Sequence, residues 1–471
     1  MNIKRIGLAF ITLTLCACVF TAKAQQKAEA EFHSFSASDA VNYALKNSVQ
    51  VRNALLDIQA QRQQNKEITA SALPQITANG SATYNPNVAV QSIPDFISLS
   101  TYGVLIKNNV KDGNGNPIKS PTDIGLLNIG FGAKYAGNAS VSLNQLLFDG
   151  QVFVGLQARA AAIKNKVLAA DVTREQIKAN VYKIYYQLVV GKRQIGSLDA
   201  NIDRYEKLLH DTKEIFKNGF AEKLDVDKVQ VQLINLQTQK LKSQNQIEAG
   251  TEGLKFLMNM PLQDNLVLTD TLSDEELKSG ILSAEYTYGD RKEVQQLKTL
   301  MDLGKYNIKR YQLSKLPTVS LGANYGENGQ WQTFDNFFKG PYFSSSFIAL
   351  RVSVSLFDGG AKNAKKAQAT IDLKKLENNM EQLKLSIDND VSQSRIQMTT
   401  ALSTMDAQKR NIDLAQQVYN STKLKYEQGL GSNQEISTAQ ADLVTAQNNY
   451  YSSLYDAIIA KINFLSAAGT L

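Results

Sequence analysis

Leu156, Ala160, Ile163, Val167, Ala170, Arg174, Ile177, Val181, Ile184, Leu188, Gly191, Ile195, Leu198, Ile202, Tyr205, Leu209, Thr212, Phe216: read in alternating steps of four and three, residues 156–216 form an apolar or small seam interrupted only by Arg174, Gly191 and Thr212. An apolar repeat of 3.5 residues is the pattern of a helix packed along its length against other helices. No proline falls between Pro121 and Pro261. A helix from about Gln151 to Lys217 would be roughly 100 Å long at 1.5 Å per residue. That is far beyond an ordinary globular helix. Asn218-Gly219 is a turn signal and ends it.

Outward from this helix the chain alternates with period two. Ile76, Ala78, Gly80, Ala82 and Tyr84 oppose Gln75, Thr77, Asn79, Ser81 and Thr83, and a second such run covers about 138–148, ending in Leu147-Phe148-Asp149-Gly150. These are strands with one apolar and one wet face. A helix over Ser36–Ser71 precedes them, stopped at Leu73-Pro74. The prolines and turn residues of 85–137 indicate an exposed loop, with short structure around Phe96–Leu105. After the turn at 218–220 a return helix runs from Lys223 to about Leu257. The segment 261–290 is a connector of mixed signals.

The chain then repeats. A helix ends at Leu316-Pro317, strands follow over about 317–326 and 346–357, and Phe357-Asp358-Gly359 leads into a second proline-free helix ending at Gln428-Gly429. Asp149 to Asp358 is 209 residues, Gly219 to Gly429 is 210, and Phe256 to Phe464 is 208. Near-equal offsets at three landmarks mean a duplicated unit. The expected organisation is a signal peptide at 1–24, a first repeat at 25–260, the connector at 261–290 and a second repeat at 291–471.

Residues 1–24 carry a basic start (Lys4, Arg5), an apolar run and Ala22-Lys23-Ala24, the marks of a secretory signal peptide cleaved after Ala24. Both cysteines, Cys16 and Cys18, lie inside it; the rival reading is a lipoprotein signal with Cys18 acylated. Loss of Lys4, Arg5 and Lys23 takes the formal charge from +7 to +4. With charges mixed along the helices, nucleic acid is not an expected partner. No later apolar run suits a transmembrane helix, so entry into a membrane would be by strands. Four strands cannot close a barrel, and an open sheet cannot sit in lipid. A water-filled pore therefore needs at least three chains and twelve strands. In it, the aliphatic faces meet lipid and the Thr, Ser and Asn faces, with Arg351, meet the lumen. The expected class is an α+β membrane protein: at least three chains whose transmembrane barrel, twelve-stranded if there are three with four strands per chain, continues as a long α-helical coiled-coil barrel.

At this point the chain resembles the TolC-type outer-membrane efflux family over nearly all of the mature sequence. The resemblance is carried by Phe35-Ser36-Ala37-Ser38-Asp39-Ala40-Val41, the two Leu-Pro strand starts and the two Phe-Asp-Gly junctions. Phe216-Lys217-Asn218-Gly219-Phe220 with Leu224-Asp225-Val226, and Tyr426-Glu427-Gln428-Gly429-Leu430, complete it. It implies a homotrimer in the outer membrane that extends into the periplasm. It also implies docking onto a periplasmic adaptor and an inner-membrane pump of the proton-driven or ABC type. The energy comes from the pump, and the trimer is a passive, gated duct for small molecules such as drugs or metals. The same fold serves as the exit channel of type I protein secretion, which stays open here as the alternative. A surface coiled-coil stalk would need no repeated strand pairs.

Two histidines, His33 and His210, supply no nucleophile–base set or zinc site. No catalytic, cofactor or metal residues are expected, nor an enzymatic activity. The tip turns, Asn218, Gly219, Phe220 and Gln428, Gly429, Leu430, are the expected adaptor-docking positions by resemblance. The plainer explanation is glycine supplying a positive φ, but Phe220 and Leu430 are apolar where a bare surface would be polar. Asp225 and Glu435 each lie six residues past a tip glycine. By resemblance they fall at the periplasmic aperture, where a ring of three carboxylates would form a filter. Alternatively they are first-turn acids complementing a helix dipole. Tyr426 matches a family tyrosine that holds the tip closed. The chain departs at Gly431 and Thr438, where the better-known member has an arginine and an acid. The closing contacts therefore cannot be the same set, and whether Tyr426 reaches Asp225 is open.

Overall fold

A computed structural model describes residues 31–130, 132–271 and 286–471. The signal peptide, with Cys16 and Cys18, and much of the 261–290 connector lie outside the described residues. The elements are β1 Phe32–Phe35, α1 Ala37–Asn47, α2 Val49–Ala70, β2 Gln75–Tyr84, β3 Val90–Pro94, α3 Phe96–Lys107, β4 Leu126–Gly130, β5 Tyr135–Phe148, α4 Gly150–Lys217 and α5 Lys223–Met258. They continue as β6 Asn265–Leu268, α6 Lys292–Leu313, β7 Thr318–Trp331, α7 Asn336–Lys339, β8 Phe343–Ser353, α8 Ala361–Glu427 and α9 Asn433–Ala468. The two long helices have 68 and 67 residues and the two return helices 36 each. None of the helices among the described residues is long and apolar enough to cross a membrane.

The chain divides into two compact units that cut across the sequence repeats. One takes residues 57–167 and 296–381; the other takes the described parts of 1–56, 168–295 and 382–471. The first unit holds a four-stranded antiparallel sheet in the order β2-β5-β7-β8. Its register aligns the period-two patterns of all four strands. Ile76, Leu143, Ala323 and Ile348 lie in one row, and Thr77, Ser142, Asn324 and Phe347 in the next. One face is thus mostly apolar, though Gln145, Glu327, Ser344 and Ser346 fall on it, and the other is mostly polar, with Arg351 paired to Ser320. Leu146, Phe343 and Phe347 are bulky apolar residues on the polar side, and both phenylalanines are exposed. Among the described residues, β2 and β8 each have an outer edge without a strand partner.

Strand limits shift from the sequence expectation because pairing, not alternation, decides them. β5 starts at Tyr135 and β7 runs on to Trp331, since the two pair from Tyr135↔Trp331 onwards. β8 ends at Ser353, so Val354–Phe357 lies outside the ladder. The loop 85–137 is more ordered than its composition suggests, with the β3–β4 hairpin and helix α3 capped by Asp95.

The first Phe-Asp-Gly junction is sterically tight. A Cβ on Gly150 would sit 2.6 Å from the Leu313 carbonyl oxygen and 2.7 Å from its Cβ. The second needs backbone freedom instead: Gly359 and Gly360 have φ of +64° and +85° with open space around them. At both, the aspartate caps the helix. Asp149 accepts from the Gln151 N–H (2.7 Å), and Asp358 accepts from the Gly360 and Lys362 N–H groups (3.0 Å each).

In the second unit, the expected 36–71 helix is two helices broken at Ser48, whose ψ of 131° is extended. Ser36 caps α1 by accepting from the Asp39 N–H (3.1 Å). Ala37, Ala40, Val41 and Ala44 pack α1 into a core with Ile177, Val181, Tyr185, Leu254 and Met258. The alternation-free stretches 32–35 and 265–268, unassigned from sequence, pair as the parallel strands β1 and β6. The buried Tyr185 hydroxyl donates to the Phe35 carbonyl (2.9 Å) and accepts from the Asp270 N–H (3.2 Å). The connector is also pinned beyond its undescribed part. Tyr286 and Tyr288 both donate to Asp388 of α8 at 2.7 Å. These bonds hold the Asp388 carboxyl below its usual range and push the Tyr288 hydroxyl up to about 12.

From Ile177 to Thr212 the seam is largely buried, including Ile177, Val181, Leu188, Leu198, Ile202, Tyr205 and Leu209. Two of its interruptions have causes. A Cβ on Gly191 would press Ile247 of α5 at 3.2 Å, so glycine admits α5 closely. Thr212, fully buried, returns its hydroxyl to the Leu208 carbonyl (2.8 Å). Closer to the N-terminus of α4 the seam residue Ala170 is buried, but so are Val154, Asn165 and Leu168 outside the seam, while Ala160 and Val167 are exposed. The packed face drifts there, as a 3.6-residue helix does against a strict 3.5 repeat.

The tip turns and the candidate aperture

Both tip turns are built alike. The Gly219 N–H donates to the Phe216 carbonyl (2.9 Å) and the Phe220 N–H to Ile215 (3.0 Å); Gly429 donates to Tyr426 (3.0 Å) and Leu430 to Lys425 (2.9 Å). With φ of +82° and +73° at the glycines, these are Schellman stops, which satisfy the last carbonyls of a helix. Asn218 and Gln428 donate their N–H groups to Glu214 and Leu424 and close the last turn. In such stops the residue after the glycine usually folds its apolar side chain back onto the helix. Here it does not: Phe220 is 86% and Leu430 78% exposed.

The return helices start three residues later. Ser432 caps α9, its Oγ accepting from the Glu435 N–H (3.2 Å). Asp225 reaches back in α5, its carboxylate accepting from the Glu222 N–H (3.3 Å). Asp225 and Glu435 thus occupy the same place, the third residue of a helix, where an acid favours the positive end of the dipole. The plainer explanation of Asp225 is therefore satisfied within the chain.

One core cluster gathers the two return helices with the long ones: Tyr205, Leu209, Val226, Val229, Tyr419, Ile436 and Leu443, with Tyr426 packed against it. Burial pushes the Tyr205 hydroxyl up to about 12. Asn433 ties the helix starts together, its Nδ2 donating to the Asp225 carbonyl (3.5 Å), while Lys228 donates to Gln434 (3.4 Å). Asp225, Tyr426 and Glu435 are therefore brought to one end of one bundle. No hydrogen bond joins Tyr426 to Asp225 among the described residues. At Gly431 an added Cβ would meet the Tyr426 nitrogen at 3.2 Å. Thr438 returns its hydroxyl to Gln434 of its own helix (2.9 Å).

Sequence reasoning missed a polar layer between α4 and α9. Gln447 Oε1 accepts from Ser197 (2.9 Å) and Asn201 (2.7 Å), and Gln194 donates to Asn448 (3.2 Å). Polar contacts between packed helices fix their register. They are visible in the sequence only once the partner helix is known.

A one-faced antiparallel sheet, paired long helices and Schellman tips define the class of outer-membrane channel with a helical extension into the periplasm. The profile described as "Outer membrane efflux protein" matches residues 40–260 and 289–470, and the chain belongs to that family. It is similar to the alkaline protease secretion protein AprF of Pseudomonas aeruginosa, 22% identical over 340 residues (71% of this chain, 69% of that one). It is also similar to the probable efflux pump outer membrane protein TtgC of Pseudomonas putida, 20% identical over 459 residues (95% and 86%). Among solved structures it matches CusC, described with transmembrane channel formation, at a TM-score of 0.72 and 15% identity over 95% of each chain. The protein is an outer-membrane efflux channel, in a family of channels rather than enzymes.

Proposed function

We propose that three copies of this chain form the exit duct of a tripartite exporter, passing small toxic compounds from a periplasmic adaptor and an inner-membrane pump to the exterior. The observation that carries the reading is the sheet register, which sorts apolar and polar side chains onto opposite faces across all four strands while leaving β2 and β8 open. Unpaired edges cannot remain in lipid, and β2 meeting β8 of a neighbour closes twelve strands. At 10 to 14 residues the strands have the length a tilted membrane strand needs. Aromatic side chains flank the sheet at both ends: Tyr84 stacks on Tyr135 (5.0 Å) beside Phe334 at one, and Phe148 lies on Phe153 (5.5 Å) at the other. Such belts mark the two interfaces of a membrane barrel. The matched lengths of α4 and α8, and of α5 and α9, support the duplicated wall.

In this assembly Phe220 and Leu430 dock the adaptor, and Asp225 and Glu435 form carboxylate rings at the aperture that Tyr426 helps to hold closed. A planar bilayer holding the purified protein is expected to show discrete channel openings from a trimer; a protein that forms no trimer and no channel would sink the reading. A unit charge about 4–8 Å from a passing ion contributes about 0.5–1 kcal/mol in water before screening by salt. Asp225→Asn with Glu435→Gln removes two such charges per chain and is therefore expected to lower the cation-over-anion permeability ratio at least about tenfold. An unchanged reversal potential in a salt gradient would return both acids to helix capping alone. Unaltered conductance in both Asp225→Ala and Tyr426→Phe would remove the closing contact.

The second reading, export of a protein from an ABC-type machine, is favoured by one observation, the similarity to a protease secretion protein. An adjacent gene for a proton-driven pump supports efflux, and one for an ABC transporter with a secreted substrate supports secretion.

A further inference from the structure

The unit that holds the sheet carries a cluster of cations where the strands give way to helices. Lys309, Arg310 and Lys315 lie in and just after the last turns of α6, which enters β7. Lys362, Lys365 and Lys366 lie in the first two turns of α8, which follows β8. The two groups adjoin: Lys315 Nζ donates to the Asn363 side chain (2.6 Å). Between residues 305 and 317 there is no carboxylate, and between 358 and 371 only Asp358. Asp358 is engaged by the backbone at the start of α8 (3.0 Å). None of the six cations makes an ion pair among the described residues.

Helix electrostatics account for one group and not the other. Cations at the C-terminus of α6 complement its dipole, but three lysines at the N-terminus of α8 oppose it. The junction does not require them. α4, of nearly equal length and leaving β5 through the same Phe-Asp-Gly sequence, has no charged residue from Gly150 to Ala158. The lysines also follow directly on an apolar belt: Leu356 is 92% and Phe357 90% exposed. Apolar residues in the hydrocarbon with cations a turn beyond them are how a protein meets a charged lipid surface.

We propose that Lys309, Arg310, Lys315, Lys362, Lys365 and Lys366 bind the phosphates of anionic phospholipid in the periplasmic leaflet, fixing the depth of the sheet in the membrane. This rests on the outer-membrane reading of the sheet. A lysine near an anionic lipid surface contributes about 1 kcal/mol, or about fivefold in affinity, so three lysines contribute on the order of a hundredfold.

The test uses full-length protein in detergent, titrated with dioctanoyl phosphatidylglycerol or, as the neutral control, dioctanoyl phosphatidylcholine, with bound lipid counted by native mass spectrometry. Wild type is expected to retain phosphatidylglycerol in preference and to lose it as NaCl rises, while the neutral lipid is unaffected. Lys362→Gln/Lys365→Gln/Lys366→Gln is expected to lose the preference, and Lys374→Gln/Lys375→Gln to keep it. No preference in wild type, no salt dependence, or an unchanged preference in the triple variant overturns the proposal. So does a triple variant that changes ion selectivity while keeping the lipid, because the lysines would then line the water path. The salt dependence of wild type decides the matter even if the triple variant fails to assemble. Bilayer conductance of the same preparation separates the readings: a conducting protein without lipid preference sinks only this proposal.

Discussion

Phe220→Asp combined with Leu430→Asp is expected to reduce export to the level of cells lacking the channel, with outer-membrane abundance and single-channel conductance unchanged. The argument starts from exposure. Each side chain follows a Schellman glycine, where it would ordinarily fold back onto its helix, and each instead points into solvent. Neither makes up part of the core that holds the bundle end, which is built from Tyr205, Val226, Val229, Ile436 and Leu443. Charging them should therefore leave the fold intact. Apolar anchors at the centre of an interface contribute about 2 kcal/mol or more each. Two per chain, repeated round a trimer, leave little affinity when replaced by carboxylates. Normal export by the double variant would show that the turns serve only to reverse the chain. Loss of conductance would show that they belong to the channel itself.

Gly150→Val is expected to lower the heat stability of the assembled protein far more than Gly359→Asn. A Cβ at Gly150 falls on the Leu313 backbone, and backbone cannot step aside as a flexible side chain can. Overpacking of this kind costs about 1–3 kcal/mol and sometimes more, and the larger valine takes the upper end. Gly359 presents the opposite case, with a left-handed φ and nothing nearby. Asparagine tolerates that conformation, so Gly359→Asn should be mild where Gly150→Asn is severe. The measurement is the temperature at which the folded assembly loses its compact mobility on a gel. Equal shifts for the two asparagine variants would show that both junctions are held by the same requirement.

This pair shows what was legible in the sequence and what was not. Phe-Asp-Gly at 148–150 and 357–359 is one motif in sequence, and each copy stands just before a long helix. Why each glycine is there depends on what lies across from it, and Leu313 is 163 residues away. The first long helix was legible to within a residue, because a repeat of 3.5 sustained over 61 positions has no other physical reading. The four strands of the sheet were legible for the same reason of period, though their ends were not, since Tyr135 and Trp331 belong to the ladder only through each other. β1 and β6 left no periodic trace: four-residue parallel strands take their hydrogen bonds from 233 positions along the chain. Of the candidate site, the turns and the position of the acids were readable from glycine and capping rules. The engagement of Asp225 by Glu222 is local and could have been foreseen. The Gln447 layer could not, because it depends on which helix faces α4.

The unpaired margins of β2 and β8 carry a genetic consequence. On the trimeric reading every chain depends on a neighbour for two of its ladders, so one defective strand spoils rings that also contain sound copies. A proline placed within β2 should act dominantly: expressed beside the normal gene, it would deplete intact channels more steeply than its share of the transcripts. A defect confined to the interior pairing of β5 with β7 would remove only the chain that bears it, and should behave as a recessive loss.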